Sequence, residues 1–427
     1  MSQTTKAPRR RPVARHAKLS SPTRWGQIVR FLAVGLAVVL VSGAGIVGYQ
    51  TVSAIAAFQD AGVELDPEAP PVPPDIGEIE GGVNLFIAGT DACEDDYAAI
   101  FGDRCTGPDA SGELNDVNLL VHISDAPRRV TVISFPRDLM IPIPECTDPE
   151  TGRTSGAMRK QPLNSTFSYG GLACATKTIS QLTGLNIPFA ASVTWGGVIE
   201  VTNAIGGVNV CIANGIHDIY TGLNLDEGNH ELIGVEALQF LRTRHGVGNG
   251  GDLGRISNQQ VYMSSLARKL VSEQVLSNPG TLYNLALTAL DNVTPSTTLQ
   301  NPLTLVQIAL AVKSVPFEEI VFLQYPVNGD PDDSNKVVPN YAAADVLWEA
   351  LEANQPLIIT GDTSQGDGAI VDPNQPVTPD PGTETPAPSE TPSPGATEVP
   401  VVEAGVELPS AITGTTAAVT TCSNGQG

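Results

Sequence analysis

The chain has 427 residues, 41% of them hydrophobic, with 46 acidic against 23 basic side chains and a formal net charge of −23. That length accommodates two average domains, or one large domain with appendages. The charge is unevenly placed: residues 1–59 hold eight basic residues and no acidic one, so everything beyond them is strongly acidic. The basic stretch is short and carries no DNA-binding pattern, which excludes nucleic acid as a partner.

In chain order, a basic tail (1–30) is followed by Phe31–Tyr49, a run without a single charge. Its length suits a helix crossing a bilayer core of roughly 30 Å. The residues 31–50 therefore read as a transmembrane helix, with the basic flank cytoplasmic and the acidic remainder outside the cell membrane. A cleaved signal peptide ending near Ala54-Ile55-Ala56 is the competing reading and delivers the same compartment. Residues 51–81 form a stalk whose Pro67–Pro74 run favours extended polyproline geometry.

From 82 to 354 apolar runs and helical spacings alternate. Strands are expected at Val83–Ala88, Val117–Ile123, Val130–Phe135, Val208–Ile212 and Ile320–Tyr325, the second and third joined as a hairpin. Helices are expected at Cys174–Leu182, Val198–Ile205, Gly234–Leu241, Gln259–Leu276 and Tyr341–Leu351. The order predicts a mixed α/β/α layered sandwich, a central mostly β-sheet with helices on both faces. Residues 355–427 are rich in Pro, Thr and Ser, lack Lys and Arg, and read as a disordered tail. All six cysteines lie beyond the apolar segment and none forms a Cys-x-x-Cys pair, so disulfides are expected rather than zinc. Cys93 and Cys105 are spaced to close a short loop; the pairing of the others stays open.

No nucleophile elbow and no P-loop is present. Scarce positive charge clusters instead: Arg242, Arg244 and Arg255 fall within FLRTRHGVGNGGDLGR. On an extended backbone Arg242 and Arg244 would form a fork suited to phosphate. The glycines at 246, 248, 250, 251 and 254 would let backbone approach an anion. Arg137 and Asp138 follow an apolar strand, where open α/β sheets place ligands. Asp91 and Asp116 stand at strand ends and, brought together beside arginines, suit a Mg²⁺ that also binds phosphate oxygens. The bland alternatives are a surface loop, a local ion pair and ordinary turn aspartates.

Taken in order, Gly89-Thr90-Asp91, Asn115-Asp116 before LLVHI, ISFPRD ending at Asp138, LNSTFSYGG through Gly171, AIGGVNV, FLRTRH at 240–245 and DLGRISNQQ at 252–260 resemble the LytR-CpsA-Psr family. The resemblance implies a membrane-anchored phosphotransferase that moves a glycopolymer from a polyprenyl-pyrophosphate carrier to peptidoglycan through a phosphodiester. It implies that Asp91 and Asp116 hold Mg²⁺, with Mn²⁺ as the alternative ion. Arg137, Arg242, Arg244 and Arg255 would grip the pyrophosphate with Gln259 nearby, and Asp138 and Asp252 would orient them or help deprotonate the acceptor. The lipid would lie in an apolar tunnel between sheet and helices. Leu114, Pro162 and Asn258 stand where the family carries basic residues, with Arg159 and Lys160 as candidate substitutes for the second. Two other functions fit the same residues: hydrolysis of a polyprenyl pyrophosphate, and non-catalytic attachment to the wall.

Overall fold

The computed structural model describes residues 62–65, 79, 81–107, 112–149, 151–272, 288, 292–375 and 405–426. The expected transmembrane helix and basic tail lie outside them. Among the described residues no helix is long and apolar enough to cross a membrane.

The central sheet has seven strands. In chain order they are β1 (Val83–Thr90), β2 (Asn115–Ile123), β3 (Val130–Ser134), β4 (Phe189–Val193), β7 (Val293–Pro295), β8 (Ile320–Gln324) and β10 (Gly414–Thr416). Across the sheet the order is β7-β4-β1-β2-β3-β8-β10. β2 pairs antiparallel with both β1 and β3, whereas β1·β4 and β3·β8 are parallel, so the sheet is mixed. β3 and β8 are apolar runs buried along their whole length, as strands covered on both faces must be.

Side-chain alternation along β1 divides the core. Phe86 and Ala88 pack with helices α1 (Thr166–Thr183) and α6 (Tyr341–Glu352), while Leu85 and Ile87 face α4 (Asp252–Ser272) and α5 (Pro302–Lys313). The layered α/β architecture expected from the sequence is the one observed. Two further helices, α2 (Trp195–Ala204) and α3 (Gly234–Arg242), pack with α4 beside a four-stranded sheet. That sheet is built from β5 (Val208–Asn214), β6 (Gly228–Leu232), β9 (Ala369–Val371) and β11 (Thr421–Asn424), in the order β6-β5-β11-β9.

Several boundaries differ from expectation; α1, for one, starts at Thr166 rather than Cys174, running on through the Gly170-Gly171 kink. α4 starts at Asp252 rather than Gln259, because Asp252 opens the first turn and Gly254 is tolerated there at the helix end. The larger correction concerns 355–427: residues 355–375 and 405–426 are folded, β10 closing the edge of the central sheet against β8 and β11 entering the second sheet. Their apolar side chains are well buried, Leu408, Ile412, Ala417 and Cys422 among them. Of the expected tail, 376–404 and 427 lie outside the described residues.

Three disulfides are formed, Cys93–Cys105, Cys146–Cys174 and Cys211–Cys422, and among the described residues no cysteine is free.

Candidate active site

β1 and β2 end side by side, with a register shift at Gly89/Thr90, so Asp91 and Asp116 emerge on neighbouring strands at one end of the sheet. Asp91 is buried and already engaged. Arg104 reaches it at 2.9 Å, and the Leu114 amide donates to it at 2.7 Å. Asp116 accepts from Arg137 Nη1 at 2.7 Å, and an Arg255 nitrogen lies 3.9 Å away. Burial pushes the Asp116 carboxyl upward, but the charges of Arg255 and Arg137 outweigh it and hold the group below the usual carboxylate value.

The opposite wall comes from α3, α4 and the loop between them. Arg242 is the last residue of α3, and Thr243 then leaves the helix, capping it through its hydroxyl to the Gln239 carbonyl at 2.9 Å. The extended backbone expected for the fork is missing at Arg242, because the helical run continues through it; Arg242 reaches Trp195 and Arg244 lies toward Asp252. Both still line one cavity. Arg242 lies over the Trp195 ring, 3.8 Å from its centroid, and has no carboxylate within ion-pair distance among the described residues. Arg244 has only a distant one, Asp252 at 4.0 Å. Burial lowers the proton affinity of both guanidinium groups.

Arg255, on the first turns of α4, is 3% exposed and contacts Asp252 at 2.7 Å. Arg137 lies 3.5 Å from the same Asp252 oxygen. These are charge contacts of poor hydrogen-bond geometry: both Asp252 oxygens, Arg137 Nε and Arg255 Nε are buried without a hydrogen-bond partner among the described residues. Asp138 is drawn away toward Lys336, and its other oxygen is 3.5 Å from Arg137. Gln259 uses its amide on the Leu241 carbonyl at 3.0 Å and lines the cavity.

That cavity measures about 540 Å³. Ile87, Val117 and Leu119 of the sheet form its floor, and Val198, Val201, Leu238, Met263 and Leu266 of α2, α3 and α4 its roof. Arg242, Arg244, Arg255 and Asp116 line the same space. A second cavity of about 520 Å³ is polar, lined by Arg137, Asp138, Asp252 and Lys336, and shares Arg244 and His245 with the first.

Several expectations change. Lys160 is no substitute at the site, because Asp330 and Asp332 hold it at 2.8 and 2.6 Å; Arg159 is exposed. Arg104, missed in the sequence, supplies the cation beside Asp91. The glycines at 248 and 254 face backbone of residues 366–368 rather than the cavity. Asp91 and Asp116 fit a divalent cation in donor chemistry, two carboxylates at adjoining strand ends, though Arg104 and Arg137 now occupy them and would have to yield. The other cluster of candidate ligands, Cys211, Asp372 and Cys422, is spent on a disulfide.

The site is thus an apolar cavity of an α/β sandwich that runs to an arginine–carboxylate cluster. The chain belongs to the LytR_cpsA_psr family, whose model matches residues 48–353. It is 25% identical over 285 residues to the cell wall biosynthesis protein LcpA of Corynebacterium glutamicum, covering 62% of this chain and 54% of that protein. To the polyisoprenyl-teichoic acid–peptidoglycan teichoic acid transferase TagU of Enterococcus faecalis it is 26% identical over 189 residues, covering 44% and 56%. The crystal structure of B. subtilis TagV matches with a TM-score of 0.50 at 18% identity, over 64% of this chain and 97% of that one, a likeness of fold. The chain thus spans little more than half the length of these curated relatives.

Proposed function

We propose that this chain is an extracytoplasmic phosphotransferase, anchored by residues 31–50, that moves a glycopolymer from a polyprenyl-pyrophosphate carrier to a hydroxyl of peptidoglycan. The observation that carries this reading is the apolar cavity sharing its lining with three arginines, one of them without a carboxylate partner among the described residues. The relatives' wall-polymer roles support it.

The polyprenyl chain fills the cavity between sheet and helices, and its pyrophosphate lies against Arg242, Arg244, Arg255 and Arg137, with Gln259 nearby. The glycan and the acceptor come from the polar side. The acceptor oxygen attacks the phosphorus that carries the glycan; the P–O bond to the polyprenyl phosphate breaks, and that phosphate leaves with the bond's electrons. The acceptor's proton passes to Asp252, whose oxygens accept no hydrogen bond, or to Asp138. The arginines do most of the work, since phosphoryl transfer depends on positioning and on neutralising charge. A Mg²⁺ held by Asp91 and Asp116 would add charge neutralisation at the pyrophosphate oxygens, and Mn²⁺ could replace it.

The test is transfer of a lipid-linked glycan to peptidoglycan fragments by the purified chain. Arg244→Ala should cost about 100-fold or more in rate with the domain still folded. Wild-type turnover by that variant would overturn the assignment, and release of phosphate with no polymer on peptidoglycan would make the protein a hydrolase.

A further inference from the structure

Residues 405–426 lie beyond the matched span 48–353, yet they grip the segment that carries Arg242 and Arg244. β11 lies between β5 and β9, and Cys422 is bonded to Cys211 of β5. Immediately after it the chain meets the arginine loop. Gly248 donates its amide to the Asn424 carbonyl at 2.9 Å, Gln426 donates to the Gly246 carbonyl at 3.1 Å, and Val247 pairs with Gly425 as an isolated bridge. The Gln426 side-chain amide adds a bond to the Gly248 carbonyl at 2.6 Å.

A second grip lies behind the loop. Ser423 donates its hydroxyl to Asn258, and Asn258 donates to the Phe240 carbonyl at 2.7 Å, two residues before Arg242. Both Ser423 and Asn258 are fully buried. Asn258 spends both ends of its amide joining α3 to the C-terminal strand. On its other side the loop packs against residues 366–368: with φ +52 at Gly248, a Cβ there would fall 2.1 Å from the Gly366 carbonyl oxygen.

We propose that residues 421–426 are a clamp that sets the position of Arg242 and Arg244, with Ser423 and Asn258 as positioning residues. Arg244 is otherwise fixed by one carboxylate 4.0 Å from its side chain and by backbone bonds alone. Its amide donates to Asp218 at 3.2 Å and its carbonyl accepts from the Val247 amide at 3.1 Å, Val247 itself being part of the gripped loop. The clamp therefore tunes recognition of the anionic head and leaves the apolar cavity alone. The proposal rests on the reading that these arginines bind pyrophosphate.

The experiment uses the full chain with a protease site placed between 376 and 404, and two probes, geranylgeranyl pyrophosphate and geranylgeraniol, which share a tail. Cleavage alone should change neither affinity, because Cys211–Cys422 retains the clamp. Cleavage of the Cys211→Ser, Cys422→Ser protein, followed by removal of the released piece, should weaken the pyrophosphate probe about tenfold or more and geranylgeraniol less than about twofold. Since release could unfold the sheet edge, Ser423→Ala in the uncut chain is the second arm: about threefold weaker for pyrophosphate alone, with Ser423→Thr restoring it. Equal losses for both probes, or none for either, overturn the clamp. An intact wild-type chain that binds no pyrophosphate probe overturns the active-site reading first and the clamp with it.

Discussion

On the proposed reading, Arg242 is the residue held ready for an anion. Burial works against its charge; the Asp116 and Asp91 carboxylates oppose that cost from beyond ion-pair distance, and a face of Trp195 opposes it in direct contact. A cation over an aromatic face gains about 0.5–2 kcal/mol, which keeps the guanidinium in place without neutralising it. Arg255 is different: it is 3% exposed and close to Asp252, so truncating it would strand a buried acid and confuse stability with activity. The cleaner probe of electrostatics away from the site is His122 on β2. Its Nδ1 contacts Asn84, its Nε2 is buried without a partner among the described residues, and burial lowers its pKa to about 4. The unfolded chain would protonate this histidine near pH 6.5. Between pH 6.5 and 4 the unfolded state therefore binds the extra proton, and stability must fall as pH falls. The loss should reach on the order of 3 kcal/mol by pH 4. The depressed Asp116 carboxyl adds its own loss only below the ordinary aspartate range, so the two windows separate. Denaturant unfolding across this range should show the slope, and His122→Gln should flatten it; an unchanged slope would remove His122 as the cause.

At the scale of elements, the Cys93–Cys105 loop delivers two groups at once: Arg104 to Asp91, and Phe101 to the edge of Trp195 at 4.5 Å between centroids. Replacing both cysteines by serine should lower unfolding free energy by about 3 kcal/mol and also reduce transfer at temperatures where the domain remains folded. Stability loss with full turnover would show that the loop is only a brace. Arg104 escaped notice because nothing in a lone arginine inside a polar loop reveals its partner; the short cysteine spacing was its only trace. The main strands and the helices of the sandwich were readable, since β1, β3 and β8 are apolar runs and α6 has clear helical spacing. The C-terminal strands were not. They are three or four residues long, and their partners β8 and β5 lie far back in the chain, so no local periodicity marks them. Composition alone suggested disorder there, and non-local pairing overrode it. Asp91, Asp116 and the arginines are legible as types in a pattern, but the grouping of Arg137, Arg244 and Arg255 around Asp252 depends on how α3 ends and α4 begins, which the glycine-rich loop conceals.

Across the whole molecule, the sheet separates two jobs. One face carries the core under α1 and α6; the other holds the apolar cavity beneath α2, α3 and α4. The polar cavity shares Arg244 and His245 with the apolar one, and on the proposed reading the tail and the glycan approach one set of arginines from these two sides. This arrangement makes affinity depend on tail length in a specific way. Each methylene that enters the cavity should add up to about 0.8 kcal/mol, until about 540 Å³ is filled; further isoprene units should then add little. Filling the cavity from α2 should shift that limit. Val201→Trp places a large ring against the roof, so binding of long isoprenoid pyrophosphates should fall about tenfold or more, as lost burial of two or more methylenes implies. A two-isoprene pyrophosphate, held mainly by the arginines, should lose much less. Titrating a series of chain lengths against both proteins decides the matter: parallel curves with one constant offset would mean that the tail lies elsewhere on the molecule.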